Sequence, residues 1–519
     1  SQIPPKVGMT RISFCIRKFV FLFAANRQAG SLITQTLKKF IQIILVIFFL
    51  APVFSCRKDR IITDSSAKLE FSSDSVLFDT VFTTIGSATR LFTIHNRNNG
   101  AVKISSVKFG SGTSTQFLVN IDGVPVKSTA NITIPGKDSL FVFVQVNVNP
   151  ANQNSPLIIR DSIIFVTNGN IQSVYLEAWG QDAYYTKPNI FFTNGFSYSI
   201  ISCNSTWTND KPHVIYGYAV VDSACTLTIL PGTRVYLHKN AVLWVLNDGT
   251  LDIQGSQSNP VTFQGDRLEP EYKDIPGQWG KIWLSSLSKN NKINWAILKN
   301  GAIGIQADTV NLASGNPTLR ISNTIINNMS AAAIYGQGAH INGYNCVFGN
   351  CGQYTAALTI GGKYSFKHCT FSNYWSGFKA TRTTPALLIN NWYKAASGAV
   401  QSRSIDSAYF GNCIIYGNLA NEIGIDSSAG GNFRYKFENC VIKADGSYNA
   451  LNTYHNSSVK KNTDPGFKDA ANNNCNISLT SPAKDWGNSV IGNMYPVDLN
   501  GNPRNVDTAP DAGAYEYKP

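Results

Sequence analysis

The chain has 519 residues, which is too long for one ordinary hydrophobic core, so we expect two or three folded units. Charged residues are few (14%) and aromatic residues many (12%), a balance that favours an all-β protein with many turns. The formal net charge is +13, but residues 1–60 hold ten basic residues against one acidic residue, which leaves +4 for residues 61–519. A nucleic-acid-binding function therefore loses its main support.

The first 55 residues contain the features of an export signal. The basic pair Lys38-Lys39 precedes an apolar run over 40–54, and Ser55-Cys56 follows. The run is short for a membrane span of about 20 residues. A cysteine at this place resembles the lipobox of bacterial lipoproteins, although Phe54 is bulkier than the small residue usual there. The resemblance implies cleavage before Cys56 and lipidation of its thiol. A plain signal peptide or a single transmembrane helix are the alternatives.

We expect residues 1–36 to lie upstream of the true start, since they add nothing to the signal. With residues 37–55 they form the upstream segment and signal peptide, and residues 56–67 form a short polar tether. The protein is then predicted to be an outer-membrane lipoprotein of the cell envelope, with exposure on the cell surface and a periplasmic orientation as the two alternatives.

Residues 68–182 alternate apolar and polar residues in short runs that are separated by turn residues, a pattern typical of a β-sandwich. The phrases at 92–107, 132–150 and 174–182 resemble those of Hydin-type immunoglobulin-like domains. That resemblance covers about 115 residues and implies a spacer or adhesion module.

Residues 183–462 contain a recurring phrase of asparagine, cysteine, any residue and an apolar residue. Its copies are 22 to 29 residues apart, with one double step of 44, which indicates a solenoid of stacked coils. Strands of about four residues followed by Gly, Asn or Pro corners predict three strands per coil in a right-handed parallel β-helix of about eleven coils. The phrase begins at Asn294, Asn323, Asn345, His368, Asn412 and Asn439.

The beginning of the predicted β-helix and the end of the chain resemble β-helix proteins that the Bacteroidota export, which have a pectate-lyase-like fold. Residues 210–266 and 277–284 resemble their opening coils. Residues 464–469, 481–487 and 498–517 are similar to their closing segment, in which a Gly-Ala-Tyr-Glu phrase ends the domain. The resemblance implies that residues 463–519 cap the β-helix.

The cysteines of the phrase share one place in the repeat, so stacked coils would bring them about 4.8 Å apart. We predict a column of reduced, buried thiols, because stacked side chains point in parallel and bridge poorly. The neighbouring asparagines are predicted to hydrogen-bond backbone at a coil corner. This structural ladder comprises Cys346, Cys369, Cys413, Cys440, Asn345, Asn412 and Asn439.

No C-x-x-C motif and no histidine pair with ligand spacing occurs in the sequence, so no structural zinc site is predicted. We expect no cofactor and leave only a calcium ion open.

Two interruptions of the repeat are the candidate glycan-binding sites. The insertion 265–280 concentrates charge and aromatic rings, and its competing interpretation is a solvated corner with mutually paired charges. The double-length repeat 370–412 combines aromatic and basic residues, and its competing interpretation is two ordinary coils. The candidate residues are Asp266, Arg267, Glu269, Tyr272, Lys273, Asp274 and Trp279 in the first, and Tyr374, Trp375, Lys379, Arg382 and Trp392 in the second.

The predicted function is a β-helix that binds glycan or another surface polymer without catalysis. A polysaccharide lyase or glycoside hydrolase on the same scaffold, and a purely structural adhesion protein, are the alternatives, since β-helices host all three. A lyase predicts a basic residue beside an acidic cluster, and a hydrolase predicts paired carboxylates. A binder predicts a row of exposed aromatic residues, and a scaffold predicts a featureless polar groove.

Overall fold

The computed structural model describes residues 60–83, 86–150, 157–308, 317–375, 381–445, 458–505 and 507–518. The signal segment and Cys56 lie outside these residues, as does Lys379. Within them, no helix is long and apolar enough to cross a membrane. The chain is all-β, with two successive β architectures.

The first architecture is a β-sandwich. Sheet A joins β1, β5, β11, β12 and β3, with β8 and β9 on β5, and sheet B joins β2, β4, β10, β6 and β7. Alternate residues of β10, such as Val142 and Val144, are fully buried between the sheets, while Phe141 and Phe143 face solvent. The strands are β1 (Ile61–Ile62), β2 (Glu70–Phe71), β3 (Ser75–Phe82), β4 (Arg90–His95), β5 (Ala101–Phe109), β6 (Phe117–Ile121), β7 (Val124–Val126), β8 (Ser128–Thr129), β9 (Ile132–Ile134), β10 (Ser139–Val146), β11 (Leu157–Thr167) and β12 (Asn170–Gln181).

The second architecture is a parallel β-helix. Its first half contains β13 (Tyr184–Thr186), β14 (Ile190–Phe191), β15 (Ser197–Ile200), β16 (Ser205–Trp207), β17 (His213–Ile215), β18 (Tyr218–Val221), β19 (Thr226–Ile229), β20 (Arg234–Leu237), β21 (Val242–Val245), β22 (Thr250–Gln254), β23 (Val261–Gly265), β24 (Lys281–Leu284), β25 (Asn291–Asn294), β26 (Ala296–Lys299), β27 (Ile303–Ala307), β28 (Leu319–Ser322) and β29 (Ile325–Asn327).

Its second half contains β30 (Ala332–Gln337), β31 (His340–Tyr344), β32 (Val347–Gly349), β33 (Tyr354–Thr359), β34 (Gly362–Lys367), β35 (Thr370–Asn373), β36 (Leu387–Asn390), β37 (Trp392–Lys394), β38 (Val400–Ser402), β39 (Ile405–Gly411), β40 (Ile414–Gly417), β41 (Ile423–Asp426), β42 (Phe433–Glu438), β43 (Val441–Ile442) and β44 (Lys460–Lys461).

Three long sheets run the length of the solenoid. Sheet 1 contains β14, β15, β18, β21, β24, β27, β30, β33, β36 and β41; sheet 2 contains β16, β19, β22, β25, β28, β31, β34, β39 and β42; sheet 3 contains β13, β17, β20, β23, β26, β29, β32, β35, β40, β43 and β44. Each coil contributes one strand to each sheet, as the sequence predicts.

The described residues form nine complete coils, from β15–β16–β17 to β41–β42–β43, where the repeat length predicts about eleven. Insertions between strands account for the difference. The double step of 44 residues is one coil, because β35 pairs directly with β40. The extra length forms the antiparallel hairpin β37–β38 between β36 and β39. The interpretation of two ordinary coils is therefore wrong.

Backbone conformation explains the asparagines of the repeat. Asn323, Asn345, Asn412 and Asn439 have φ between 48° and 52°, and His368 takes the same place with φ 48°. Asparagine tolerates this left-handed conformation better than other non-glycine residues. Their side chains bond to one another and to the C-terminal segment: Asn345 Nδ2 lies 3.2 Å from Asn323 Oδ1, and Asn439 Nδ2 donates to the Trp486 carbonyl at 2.8 Å.

The interior of the solenoid is apolar. Cys346, Cys369, Cys413 and Cys440 are free, fully buried and part of this apolar core. The rings of Phe366, Phe410 and Phe437 stack in successive coils of sheet 2, 5.6 and 5.0 Å apart.

One disulfide differs from the expectation that stacked cysteines stay reduced. Cys203 and Cys225 are bonded, with their Cα atoms 4.9 Å apart. The pairing of Ser205 with Leu227 places the two cysteines at the same position of adjacent coils, in the corner that precedes sheet 2. The free cysteines Cys346, Cys369, Cys413 and Cys440 also lie at corners, those between sheet 2 and sheet 3.

The C-terminal segment lies along the side of the solenoid, on the outer face of sheet 3, instead of only across its end. It comprises β45 (Phe467–Asp469), β46 (Asn474–Ile477) and one short α-helix (Ser489–Met494). Leu499 and Tyr515 pack on Val347, and Ala512 packs in the cluster of Ile414. The ion pair of Arg504 with Glu516, from the Gly-Ala-Tyr-Glu phrase, is buried beneath it.

Candidate functional site

The insertion 265–280 lies between β23 and β24, at the corner that leads from sheet 3 to sheet 1. Its charges are paired. Arg267 Nε lies 3.0 Å from Glu269 Oε2, and the guanidinium sits over the Tyr272 ring at 3.9 Å from its centre. Glu271 pairs with Arg90 of the sandwich at 3.0 Å. The competing interpretation, a corner with mutually paired charges, describes most of this loop.

The end of the insertion is structural. The carbonyls of Lys273 and Asp274 accept hydrogen bonds from Asn300 and Asn328, while both residues stay exposed. Trp279 is fully buried, and its Nε1 donates to the Lys299 carbonyl at 2.9 Å. Trp279 is therefore removed from the glycan-binding candidates, because it fills the core where the chain re-enters the coil.

The second candidate region, 370–412, splits into buried and exposed parts. Tyr374 packs edge-to-face against Phe467 of the C-terminal segment, and Trp375 is buried. Trp392 lies half-buried on the hairpin β37–β38, and its Nε1 donates to Asp426 Oδ1 at 2.9 Å. Of these rings, only that of Trp392 lies on the hairpin insertion.

Arg382 is buried in an ion pair and cannot contact a glycan. Its Nη2 lies 2.6 Å from Glu422 Oε1, with both side chains fully shielded from solvent. The two Nη atoms also donate to the carbonyls of Asn373 and Thr384 and to Asn418 Oδ1. The prediction that Arg382 binds a ligand is wrong, because the residue ties the start of β36 to the next coil.

The feature that the sequence reasoning missed is a row of aromatic side chains on the outer face of sheet 1. Trp244 and Trp283 occupy paired positions of β21 and β24, and their rings stack at 4.7 Å with planes 6° apart. Strand alternation turns them outward, since Leu243 and Val245 beside Trp244 are fully buried. We call the row the aromatic ladder: Tyr198, Tyr218, Trp244 and Trp283 on strands of sheet 1, with Phe192 and Phe196 from the turn between β14 and β15.

The rings of the ladder contact one another in sequence, and each is only partly shielded from solvent. Phe192 is 52% exposed and the other five rings are half-buried. Tyr218 bridges its two ends, since its ring lies 5.0 Å from Phe196 and 6.2 Å from Trp244. The parallel tryptophan rings cover part of each other's faces, and the Trp244 Nε1 is shielded from solvent. Most members of the ladder lie on strands of different coils. Only a comparison of which alternate positions face outward in successive strands would have predicted the row.

A polar network borders the ladder at Trp283. The indole Nε1 donates to Asp308 Oδ2 at 2.6 Å, and Gln306 Nε2 donates to Asp308 Oδ1 at 2.8 Å. Lys281 Nζ donates to Gln306 Oε1 at 2.6 Å and lies 4.5 Å from the centre of the Trp283 ring. Burial lowers the pKa of Lys281. The outer face of sheet 1 therefore offers flat apolar rings next to hydrogen-bonding groups.

Across the described parts of the chain, no group of three or more His, Cys, Asp or Glu residues could hold a metal ion. The six histidines contribute no such cluster there.

No protein-family model matches the chain, and no curated protein matches it. Among solved structures, it is similar to the Vibrio cholerae VesB protease (14% identity, TM-score 0.16, 23% of this chain and 33% of that one) and to the E. coli chaperone DraB (11%, 0.16, 24% and 56%). It is also similar to the catalytic unit of a GH87 alpha-1,3-glucanase from Streptomyces thermodiastaticus (9%, 0.18, 72% and 89%). The chain spans about a third to a half of the first two proteins. Likenesses this weak carry no argument about function.

Proposed function

We propose that the chain is a cell-envelope lipoprotein whose β-helix binds glycan or another surface polymer without chemistry of its own. The observation that supports this proposal is the aromatic ladder with its polar border at Lys281, Gln306 and Asp308. The apolar faces of sugar rings pack on aromatic side chains, and their hydroxyls bond to neighbouring polar groups. A solenoid repeats such contacts along an extended polymer.

The anchor of the proposed lipoprotein is Cys56, which would carry the lipid. Growth of expressing cells with a labelled lipid precursor tests it. We expect label on the full chain and none on the Cys56→Ser variant. Label that persists on Cys56→Ser would place the lipid elsewhere, and an unlabelled full chain would remove the anchor from the proposal.

The ladder is tested by the binding of the Cys56→Ser protein to a panel of neutral and acidic polysaccharides. Trp283→Ala should weaken binding by about 2- to 10-fold, the range expected for loss of one aromatic contact. Trp179→Ala, an exposed tryptophan of the sandwich, is the matched control and should bind as the parent does. Trp392→Ala tests the hairpin separately.

The same samples separate the competing functions. New reducing or unsaturated chain ends would show a glycoside hydrolase or a lyase and would contradict a non-catalytic binder. Failure of every polysaccharide to bind would favour a scaffold or adhesion role. Equal binding by the parent and Trp283→Ala would remove the ladder as the site.

A further inference from the structure

The strands of sheet 2 carry an excess of basic side chains. In β25, β28, β31, β34, β39 and β42, six residues are Lys or Arg and two are Asp or Glu. This excess of four basic residues equals the net charge of the whole of residues 61–519. The basic residues are Lys292, Arg320, Lys363, Lys367, Arg434 and Lys436, and the acidic residues are Asp406 and Glu438.

Strand pairing aligns part of this charge in one column along the solenoid. The side chains beside the column residues Lys292 and Arg320, those of Ile293 and Ile321, are fully buried, so the column points outward. At about 4.8 Å for each coil, six coils give a column roughly 24 Å long. Its members, each paired with the next, are Lys292, Arg320, Asn342, Ser365, Tyr409 and Lys436.

The positive charges in the first half of the column are not neutralised. Lys292, Arg320 and the neighbouring Lys363 are exposed, and among the described residues none of the three has an ion pair or a side-chain hydrogen bond. Asp252 pairs with Lys292 from the preceding coil and ends the basic run, and its carboxylate accepts a hydrogen bond from Gln254 at 2.7 Å. Basic side chains without a nearby carboxylate create a positive potential that attracts acidic ligands.

The rest of the column offers hydrogen-bonding groups and an aromatic ring. Asn342 and Ser365 are half-buried and present an amide and a hydroxyl. Lys436 Nζ lies 5.9 Å from the centre of the half-buried Tyr409 ring and pairs with Glu438 at 2.6 Å. Amides and hydroxyls bond to the hydroxyls of sugars, and sugar rings pack on aromatic faces.

The spacing of the charges favours an extended polymer that is sparsely charged. Basic residues occur in the first, second, fourth and sixth of the six coils, a distance that one small anion does not span. Double-stranded DNA has one charge for about every 1.7 Å of its axis, which is denser than this column. A polysaccharide with acidic groups separated by neutral, hydroxyl-bearing parts matches both the spacing and the groups between the charges.

We propose that the outer face of sheet 2, the basic face, binds one extended acidic polysaccharide along this column, with Lys292, Arg320 and Lys363 contacting its acidic groups. The inference goes beyond the aromatic ladder, which lies on sheet 1 and consists of uncharged rings. Carboxylate and sulfate groups both bind these cations, so the test uses one polymer of each kind.

Binding of the Cys56→Ser protein to alginate and to dextran sulfate, with uncharged dextran as the reference polymer, tests the basic face. We expect at least one acidic polymer to bind at about 50 mM NaCl and to be released at about 500 mM, because salt screens exposed charges. The triple variant Lys292→Gln, Arg320→Gln and Lys363→Gln should bind about 10- to 100-fold more weakly, since each exposed charge contributes about 2- to 5-fold.

A second triple variant, Lys108→Gln, Lys127→Gln and Lys239→Gln, is the matched control. It removes the same charge from exposed lysines outside sheet 2 and should bind as the parent does. Equal weakening by the two triple variants would show a response to net charge alone and would overturn the proposal. Circular dichroism verifies that both variants are folded.

The remaining outcomes separate the basic face from other ligands and from the ladder. Failure of both acidic polymers to bind overturns the proposal, as does equally tight binding of uncharged dextran. Double-stranded DNA that binds more tightly than either polymer, and that the sheet 2 variant weakens, reassigns the face to nucleic acid. Trp283→Ala should leave the binding of the acidic polymers unchanged. Loss through Trp283→Ala but not through the sheet 2 variant overturns the basic face and leaves the ladder standing.

Discussion

Removal of the Glu422 carboxylate should destabilise the solenoid more than any exposed charge change. Glu422 accepts hydrogen bonds from both Nη atoms of Arg382, at 2.7 and 2.6 Å, and from the backbone N–H groups of Ala386 and Leu419, both at 2.8 Å. Both charged side chains are fully shielded from water. Glu422→Ala would leave a buried guanidinium without a counter-charge.

The expected loss of stability follows from the burial of the unpaired Arg382 charge. Loss of one partner of a buried ion pair costs about 3–5 kcal/mol, because the remaining charge cannot be solvated. The double variant Arg382→Met with Glu422→Leu should cost less than Glu422→Ala, since no charge stays behind. It should still fall below the parent, because the Thr384 carbonyl loses its Arg382 donor and the N–H groups of Ala386 and Leu419 lose their Glu422 acceptor, at about 1–3 kcal/mol for each buried unsatisfied group.

Guanidinium unfolding followed by circular dichroism measures these effects. Lys289→Ala is the matched control, because its pair with Asp248 is about half exposed on both sides and should contribute less than about 1 kcal/mol. A Glu422→Ala protein that unfolds within about 1 kcal/mol of the parent would refute the reasoning. It would show that the Arg382 charge reaches water, and Arg382 would again be a ligand-binding candidate.

Three further outcomes are expected from the fold. Replacing Cys203 and Cys225 by serine should lower stability by about 3 kcal/mol, because the bond closes a loop over a separation of 22 residues, and an unchanged denaturation midpoint would contradict this. Asn240→Ala should lower the free energy of unfolding by about 1–2 kcal/mol and Asn240→Gly should lower it little, because Asn240 has φ 62°, which glycine adopts without strain. Equal thermal unfolding of the two variants would exclude backbone strain at this position. The six free cysteines among the described residues should resist a thiol reagent in the native protein and react in denaturant, because they are buried and burial raises the pKa of Cys351 to about 12 and of Cys475 to about 11. Rapid labelling of these six in the native protein, located by peptide mass spectrometry, would disprove the burial.

The repeat made much of the solenoid predictable. Each coil satisfies the same local rules, with short strands whose alternate residues are buried and corners where asparagine takes a left-handed conformation. Insertions were harder to place. The 44-residue step has the length of two coils, and only the pairing of β35 with β40 shows that it is one coil with a hairpin.

The candidate residues were less predictable, because burial depends on neighbours that are distant in sequence. Aromatic and basic residues in an insertion look alike whether they face a ligand or the core. Trp279 fills space in the core, and Arg382 forms a buried ion pair with Glu422, so both side chains point inward. The aromatic ladder was not predictable in the same way, because Tyr218, Trp244 and Trp283 each come from a different coil.

The sequence by itself determined an all-β protein with a long parallel solenoid, because strand alternation and the coil repeat are local properties of the chain. The tertiary structure decided which side chains meet. Coil register stacks residues that lie 19 to 44 positions apart. Such contacts depend on the length of every intervening corner and insertion, so no local pattern records them.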